Sequence, residues 1–321
     1  MKNLQKLLAP FAFVLAFTVL FSSCKKDDVA VITPPKDITV VATENGSFKT
    51  LLAAVTKAGL VSTLQGPGPF TVFAPNDAAF TKAGITSLDG LTKEALTPIL
   101  TAHVLSGTVK AADVKSGTAK TVNAANDIYL SKNADGVFIN GNIKVIATDV
   151  TASNGVIHVI DNVIEIPKQN IVEIAASGPD KALFTELVDL VTAAGLGATL
   201  SGATAKGYTV FAPINTAFQE LYKGAGTSKA ALIANKALLT RVLLYHVVAD
   251  RVFSTDLPNV GTAEVSTAGT GTNATDKLTF DLAGGAKVKG GSSGNSNIVK
   301  ANVLATNGVI HAIDKVLIPK L

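Results

Sequence analysis

The chain has 321 residues and 47% hydrophobic content, more than one average domain of roughly 100 to 200 residues needs, so two domains with separate cores are expected. Its formal charge of +4 falls to +2 without residues 1–23, which hold two lysines and no acid; with no basic block interleaved with aromatics, nucleic acid is excluded as a partner class. The single cysteine excludes intrachain disulfides and CxxC metal or redox sites.

Lys2 and Lys6 precede the apolar run Leu7 to Phe21, and Ser22 and Ser23 lead into Cys24. This is the charged, apolar, small order of a secretory signal, and the run is too short to span a bilayer comfortably. Residues 1–23 therefore read as a signal peptide. Leu20 to Cys24 resembles a bacterial lipobox, with Phe21 where leucine is usual. That resemblance implies a diacylated Cys24 and a membrane contact through the N-terminal lipid, each buried CH₂ contributing about 0.8 kcal/mol. Lys25-Lys26-Asp27-Asp28 is similar to the signal that sends lipoproteins of Bacteroidota to the outside of the cell. It implies an outer-membrane lipoprotein exposed at the surface, with a periplasm-facing placement as the alternative. Residues 24–37, with Pro34 and Pro35, read as an extended lipidated tether.

Beyond the tether, four segments recur in the same order. Phe48, Leu51, Leu52 and Val55 take helical spacing before Gly59, and Phe184, Leu187, Val188 and Val191 repeat it before Gly195. Phe70 to Phe80 and Tyr208 to Phe218 each predict a strand ended by a proline and followed by a helix, with Asp77 and Asn215 as the expected caps. Thr92 to Leu105 and Ser228 to Val248 predict helices leading to His103 and to Tyr245-His246, the first disturbed by Pro98. Asn154 to Ile164 and Asn307 to Leu317 place Asn-Gly between apolar runs, the signal of a closing hairpin. The offsets between matching residues grow from 138 at Phe70/Tyr208 to 143 at His103/His246 and 153 at His158/His311. The second copy is therefore the longer, chiefly in the Gly/Ser/Thr/Asn-rich stretch from Ser266 to Asn297.

These residues resemble the fasciclin domain family. Thr71 to Phe80 and Thr209 to Phe218 carry its first signature, and Asn154 to Asp161 and Asn307 to Asp314 its second. His103 and Tyr245-His246 match its intervening tyrosine-histidine element. The resemblance implies an α+β fold, with two tandem domains at 38–167 and 168–321, each a small β-wedge packed with several helices. It also implies adhesion or ligand capture, with a carbohydrate, a matrix protein or a cell-surface protein as partner. The tyrosine-histidine element, linked to cell binding in that family, maps onto Tyr245 and His246; in the first copy Ala102 stands at the tyrosine position.

All four histidines fall at matched positions, His103 with His246 and His158 with His311. Between apolar neighbours, a histidine is more often a satisfied core residue than a ligand, and burial is likewise the commoner fate of a tyrosine at apolar spacing. Asp161 and Asp314 sit three residues after His158 and His311, an odd separation that puts them on the opposite strand face. GxSxG, HExxH and GxxxxGK[ST] are absent, so no cofactor and no catalytic residue is expected. Paired carboxylates need only meet in space, which leaves a hydrolase as a third alternative behind an adhesion protein and an envelope accessory subunit.

Overall fold

In the first copy, the Asp37 carboxylate accepts from the backbone N–H of Thr39 (2.8 Å) and Val40 (3.0 Å) and so starts helix α1 (Ile38–Asn45). The computed structural model describes residues 35–257, 265–268, 277–281 and 286–320. The expectations for the signal peptide, Cys24 and Lys25 to Asp28 lie outside the described residues. Helix α2 (Lys49–Ala58) buries Leu51, Ala54, Val55 and Ala58 on one face and stops at Gly59, whose φ of 71° a residue with a side chain rarely adopts. A single turn, α3 (Val61–Leu64), leads to strand β1 (Phe70–Pro75), followed by α4 (Asp77–Lys82) and α5 (Lys93–Ala102). The chain then forms β2 (Val104–Ser106), β3 (Gly117–Ala119), β4 (Ile128–Asn133), β5 (Gly136–Ile139), β6 (Ile143–Ala152) and β7 (Gly155–Ile160).

The sheet runs β2-β1-β7-β6-β5-β4-β3. At its centre β1 and β7, whose paired residues are 85 apart in sequence, pair in parallel from Phe70↔Gly155 to Pro75↔Ile160. Both are buried on each face, as parallel pairs generally are. Alternation divides their side chains between two cores. Val72, Ala74, Ile157 and Val159 face the helices with Leu51, Val55 and Leu100. Phe73 and Ile160 face Leu105, Ile128, Leu130 and Ile139 inside the curled remainder of the sheet. That curl begins in β6, where the register shifts between Val145 and Val150 and Asp149 takes a φ of 59°. A bulge of this kind bends a strand and lets it close over a second core.

The second copy repeats the order with α6 (Ile171–Ser177), a 3₁₀ turn at Lys181–Leu183, α7 (Thr185–Ala194), α8 (Gly197–Ser201), β8 (Tyr208–Pro213), α9 (Asn215–Ala225), α10 (Lys229–Ala234) and α11 (Lys236–Tyr245). Strands β9 (Val247–Val248), β10 (Val265–Ser266), β11 (Lys277–Asp281), β12 (Lys287–Lys289), β13 (Asn295–Ala305) and β14 (Gly308–Ile313) complete it. Its sheet, β10-β11-β12-β13-β14-β8-β9, matches the first strand for strand, and β8 and β14 pair in parallel from Tyr208↔Gly308 to Pro213↔Ile313. The Gly/Ser/Thr-rich stretch supplies β11 and β12; residues 269–276 and 282–285 within it lie outside the described residues.

One asparagine in each copy ties these elements together. Asn154 Oδ1 accepts from Ile38 N–H (2.9 Å), and its amide donates to the carbonyls of Leu64 (2.7 Å) and Gly66 (2.9 Å). Its own carbonyl accepts from Phe70 N–H (3.0 Å). Asn307 repeats every bond, to Ile171 (3.0 Å), Leu200 (2.8 Å), Gly202 (3.0 Å) and Tyr208 (2.9 Å). The hairpin turn consists of Ser153-Asn154, since Ala152 pairs with Gly155; the expected Asn-Gly turn is displaced by one residue. Gly155 is needed in the strand instead, because a Cβ there would lie 2.1 Å from the Phe70 carbonyl oxygen.

Three expectations for local structure change in three dimensions. Asp77 and Asn215 do not cap the helices they begin. Asn76 caps α4, and Ile214 stands at that place before α9 without a side-chain bond. Asp77 and Asn215 reach back to the neighbouring helices, accepting from Thr50 N–H (2.8 Å) and Glu186 N–H (3.0 Å), so that α2 and α7, which lack a local cap, are capped from outside. Pro98 does not interrupt α5; buried Leu96 and Leu100 hold both sides of it against the core. The helix expected from Ser228 to Val248 breaks at Asn235, whose side chain accepts from Leu238 N–H and starts α11. For the hub, Asn307→Ala leaves the buried Ile171 N–H and Leu200 carbonyl and the part-buried Gly202 carbonyl without their partner and should cost about 2 kcal/mol in urea unfolding, with Asn154→Ala similar.

Candidate functional site

The histidines come first, because they are the residues on which chemistry would rest. His103 and His246 end α5 and α11, with Nδ1 2.8 Å and 2.7 Å from the carbonyls of Ile99 and Val242. Their Nε2 atoms accept from the N–H groups of Ile164 (2.9 Å) and Leu317 (2.8 Å), so the proton sits on Nδ1 and the rings are neutral. His158 and His311 use the opposite tautomer. Nδ1 accepts from the bulge N–H of Asp149 and Asn302 (3.3 Å each), and Nε2–H donates to Val109 (2.8 Å) and Val252 (2.9 Å). Their rings stack on Phe73 and Phe211. All four are at most 2% exposed, and both ring nitrogens of each are occupied. Asp161 and Asp314 are engaged elsewhere, with Lys144 N–H and Lys82 and with Asn297 N–H, respectively.

Tyr245 is fully buried among Phe211, Leu278 and Leu317. Its hydroxyl donates to the Lys277 carbonyl (2.8 Å) and accepts from Gly291 N–H (2.6 Å). The expectation of a binding role for Tyr245 and His246 is thereby corrected: no external partner reaches either side chain in this fold. Where the first copy has Ala102, the tyrosine hydroxyl bonds both ends of the β11 and β12 hairpin, the counterpart of β4 and β5.

The two copies together form one compact unit. Across their seam, Asn302 Nδ2 donates to the Gly141 carbonyl (2.9 Å) and the Asn142 side-chain oxygen (3.0 Å), while Asn142 Nδ2 donates to the Asn302 carbonyl (3.0 Å). Asn133 donates to the Thr255 carbonyl (2.9 Å), and Tyr129 packs on Phe253 with ring centroids 5.1 Å apart. Asn302 occupies the same bulge as Asp149, and both side-chain oxygens accept from a backbone N–H, of Ser254 (2.8 Å) and Ala111 (3.0 Å). A carboxylate has only acceptors. The amide adds the donors that reach the first copy. Gly141 admits this approach, since a Cβ there would lie 2.7 Å from Asn302 Nδ2.

Beside the seam lies a polar cleft of about 300 Å³, lined by Thr118, Asn126 and Asp127 of the first copy, Pro167 of the connection, and Lys206, Arg251 and Thr306 of the second. Its size is at the lower end for ligand sites, which favour domain interfaces. Each copy also has a smaller apolar recess of about 70 Å³ between its helices and sheet, reaching Leu51, Val72 and Leu100 in one and Leu187, Val210 and Leu243 in the other. Sequence reasoning missed Asn302, Gly141 and Arg251. The one available signal was the change from Asp149 to Asn302 inside an otherwise matched repeat.

Two predictions follow from the buried groups. Burial pushes His103, His246 and His311 down to about 4, against the pull of their carbonyl bonds. Below the ordinary histidine value near 6.5 the unfolded chain takes up protons that the folded chain refuses, so stability is intact above that pH and falls as pH drops toward about 4, by roughly 3 kcal/mol per imidazole. Urea midpoints across that range check it. Tyr245→Phe removes both hydroxyl bonds and should lower stability by about 1–3 kcal/mol, and Tyr245→Ala by about 3–5 kcal/mol, in the same unfolding assay.

The profile of the fasciclin domain matches residues 46–167 and 182–319. Protein sll1483 of Synechocystis sp. is 44% identical over 134 residues, covering 40% of this chain and 73% of that protein. Transforming growth factor-beta-induced protein ig-h3 of Sus scrofa is 29% identical over 285 residues, covering 85% of this chain and 38% of that protein. This chain thus spans well under half of that longer relative. A solved domain pair from the insect cell adhesion molecule fasciclin I aligns over 86% of this chain and 98% of the other, with a TM-score of 0.43 and 19% identity. The two profile matches fall on the two structural copies, and together they take in most of the sequence: the chain belongs to the fasciclin domain family.

Proposed function

We propose that this protein is a non-catalytic adhesion or ligand-binding protein, held at the outer face of the outer membrane by a lipid on Cys24. The observation that carries this reading is the seam: two fasciclin domains are fastened into one unit with a polar cleft between them. A binding surface built from two domains is costly to order unless their relative placement is already fixed, and the Asn302, Asn142 and Asn133 bonds fix it before any partner arrives. The histidines support the same reading, because a general base needs a free ring nitrogen within reach of substrate and all eight ring nitrogens are bonded inside the core. The partners fitting this reading are a carbohydrate, a matrix protein or a neighbouring cell surface.

Protease treatment of intact cells should remove the domains, and Cys24→Ser should move the protein from the membrane pellet to the soluble fraction. Protection of the domains on intact cells that lasts until the outer membrane is opened would replace surface adhesion with an accessory role inside the envelope.

A further inference from the structure

Arg251 is the one arginine at the cleft, and its surroundings are unusual for a guanidinium. It is largely buried and burial holds its pKa below the ordinary arginine range. Its Nε is buried without a hydrogen-bond partner, and its Nη2 makes one long bond, 3.4 Å, to the Thr306 carbonyl. Asp127, whose charge acts on the guanidinium, is paired with Lys120 at 2.6 Å, the Asp250 carboxylate accepts from the Arg251 backbone N–H (2.8 Å), and among the described residues no carboxylate is paired with the guanidinium. Room for the guanidinium comes from Gly207, at φ 78°, where a Cβ would sit 3.2 Å from Nε. The protein thus engages few of the five guanidinium donors and leaves one of them buried and unmet, which favours a ligand that brings acceptors into the cleft.

We propose that the cleft between the two copies binds a carboxylate-bearing sugar, a hexuronate residue, whose carboxylate pairs with Arg251. The planar guanidinium matches a carboxylate through two parallel N–H···O bonds. Lys206, whose side chain is 72% exposed, lies 3.8 Å from Asp250, and Asp127 is paired with Lys120, so these charges offset one another and Arg251 is left as the one unbalanced charge of the lining. The balance of +1 matches a monoanion better than a phosphomonoester, which carries about −1.5 to −2. Asp127 keeps acceptor capacity beyond its bond to Lys120, and Asn126, Thr118 and Thr306 add the amide and hydroxyl groups that a ring of hydroxyls requires. The equivalent of Arg251 in the first copy is Thr108, so only the tandem arrangement builds this site.

The assignment deepens the ligand-binding reading and rests on it. Calorimetric titration of the full-length protein in detergent, with trigalacturonate, D-glucuronate and D-glucose as probes, tests it. Both uronates should bind, glucose should bind at least about tenfold more weakly, and Arg251→Gln should weaken uronate binding by about tenfold or more, the loss expected for one charge-assisted pair. Lys206→Gln, a change at an exposed side chain that leaves the fold alone, should weaken it by a few-fold, and the wild-type affinity should fall with added salt. Equal affinity for glucose and glucuronate, unchanged uronate binding in both variants, or no uronate binding at millimolar concentrations would overturn the site. Any of these results leaves adhesion through another face standing, whereas protection from protease on intact cells bears on surface location and leaves the cleft untouched.

Discussion

The parallel pairing of two distant strands is the constraint on which the rest of each domain depends. β1 and β7 in the first copy, and β8 and β14 in the second, cannot meet through a hairpin, since parallel neighbours need a long crossover. Everything between them in sequence, from the proline-ended turn through the helices to the curled strands, is that crossover. The asparagine hub makes the pairing specific. Asn154 and Asn307 sit where the returning hairpin meets the start of the first signature strand, and they bind the first helix, the short third helix and that strand at once. Within this frame the glycines after them are compulsory, because the neighbouring backbone already occupies the space of a side chain.

Burial of polar groups follows from the same frame. A strand covered on both faces has no solvent to serve its polar side chains, so the histidines next to it must be satisfied internally. They are, in two patterns: one histidine closes a helix end onto the segment after the last strand, and the other fastens a β-bulge to a crossing loop. Residues that look like chemistry in a linear sequence are therefore fasteners, with their protons placed by backbone partners. The same holds for Tyr245, which bridges the two ends of the β11 and β12 hairpin.

The contacts between the domains, by contrast, depend on where the two copies differ. The bulge residue is Asp149 in one copy and Asn302 in the other, and this exchange of a carboxylate oxygen for an NH₂ group converts an internal turn bond into a bridge between domains. Among the described residues, the buried side-chain atoms without a hydrogen-bond partner lie on Ser131, Arg251, Thr255 and Asp256. A seam with unmet polar groups beside an open cleft is suited to a polar ligand, while the cores are suited to holding that seam still.

The sequence by itself determined the repeat, the α+β class and the core role of His158 and His311, because these depend on local periodicity, on turn residues and on the match between two copies of one pattern. It did not determine where caps go, since Asp77 and Asn215 serve helices far away in sequence, nor that Pro98 lies within a continuous helix, where packing outweighs propensity. The candidate site was the least legible. Tyr245 and His246 form a recognisable pair whose burial appears only when the sheet and its β11 and β12 hairpin close over them. Arg251 carries no motif at all. Its meaning arises from a glycine forty-four residues earlier, a connection and a second domain that the tertiary structure brings to one place, and no pattern along a single strand or helix records such a meeting.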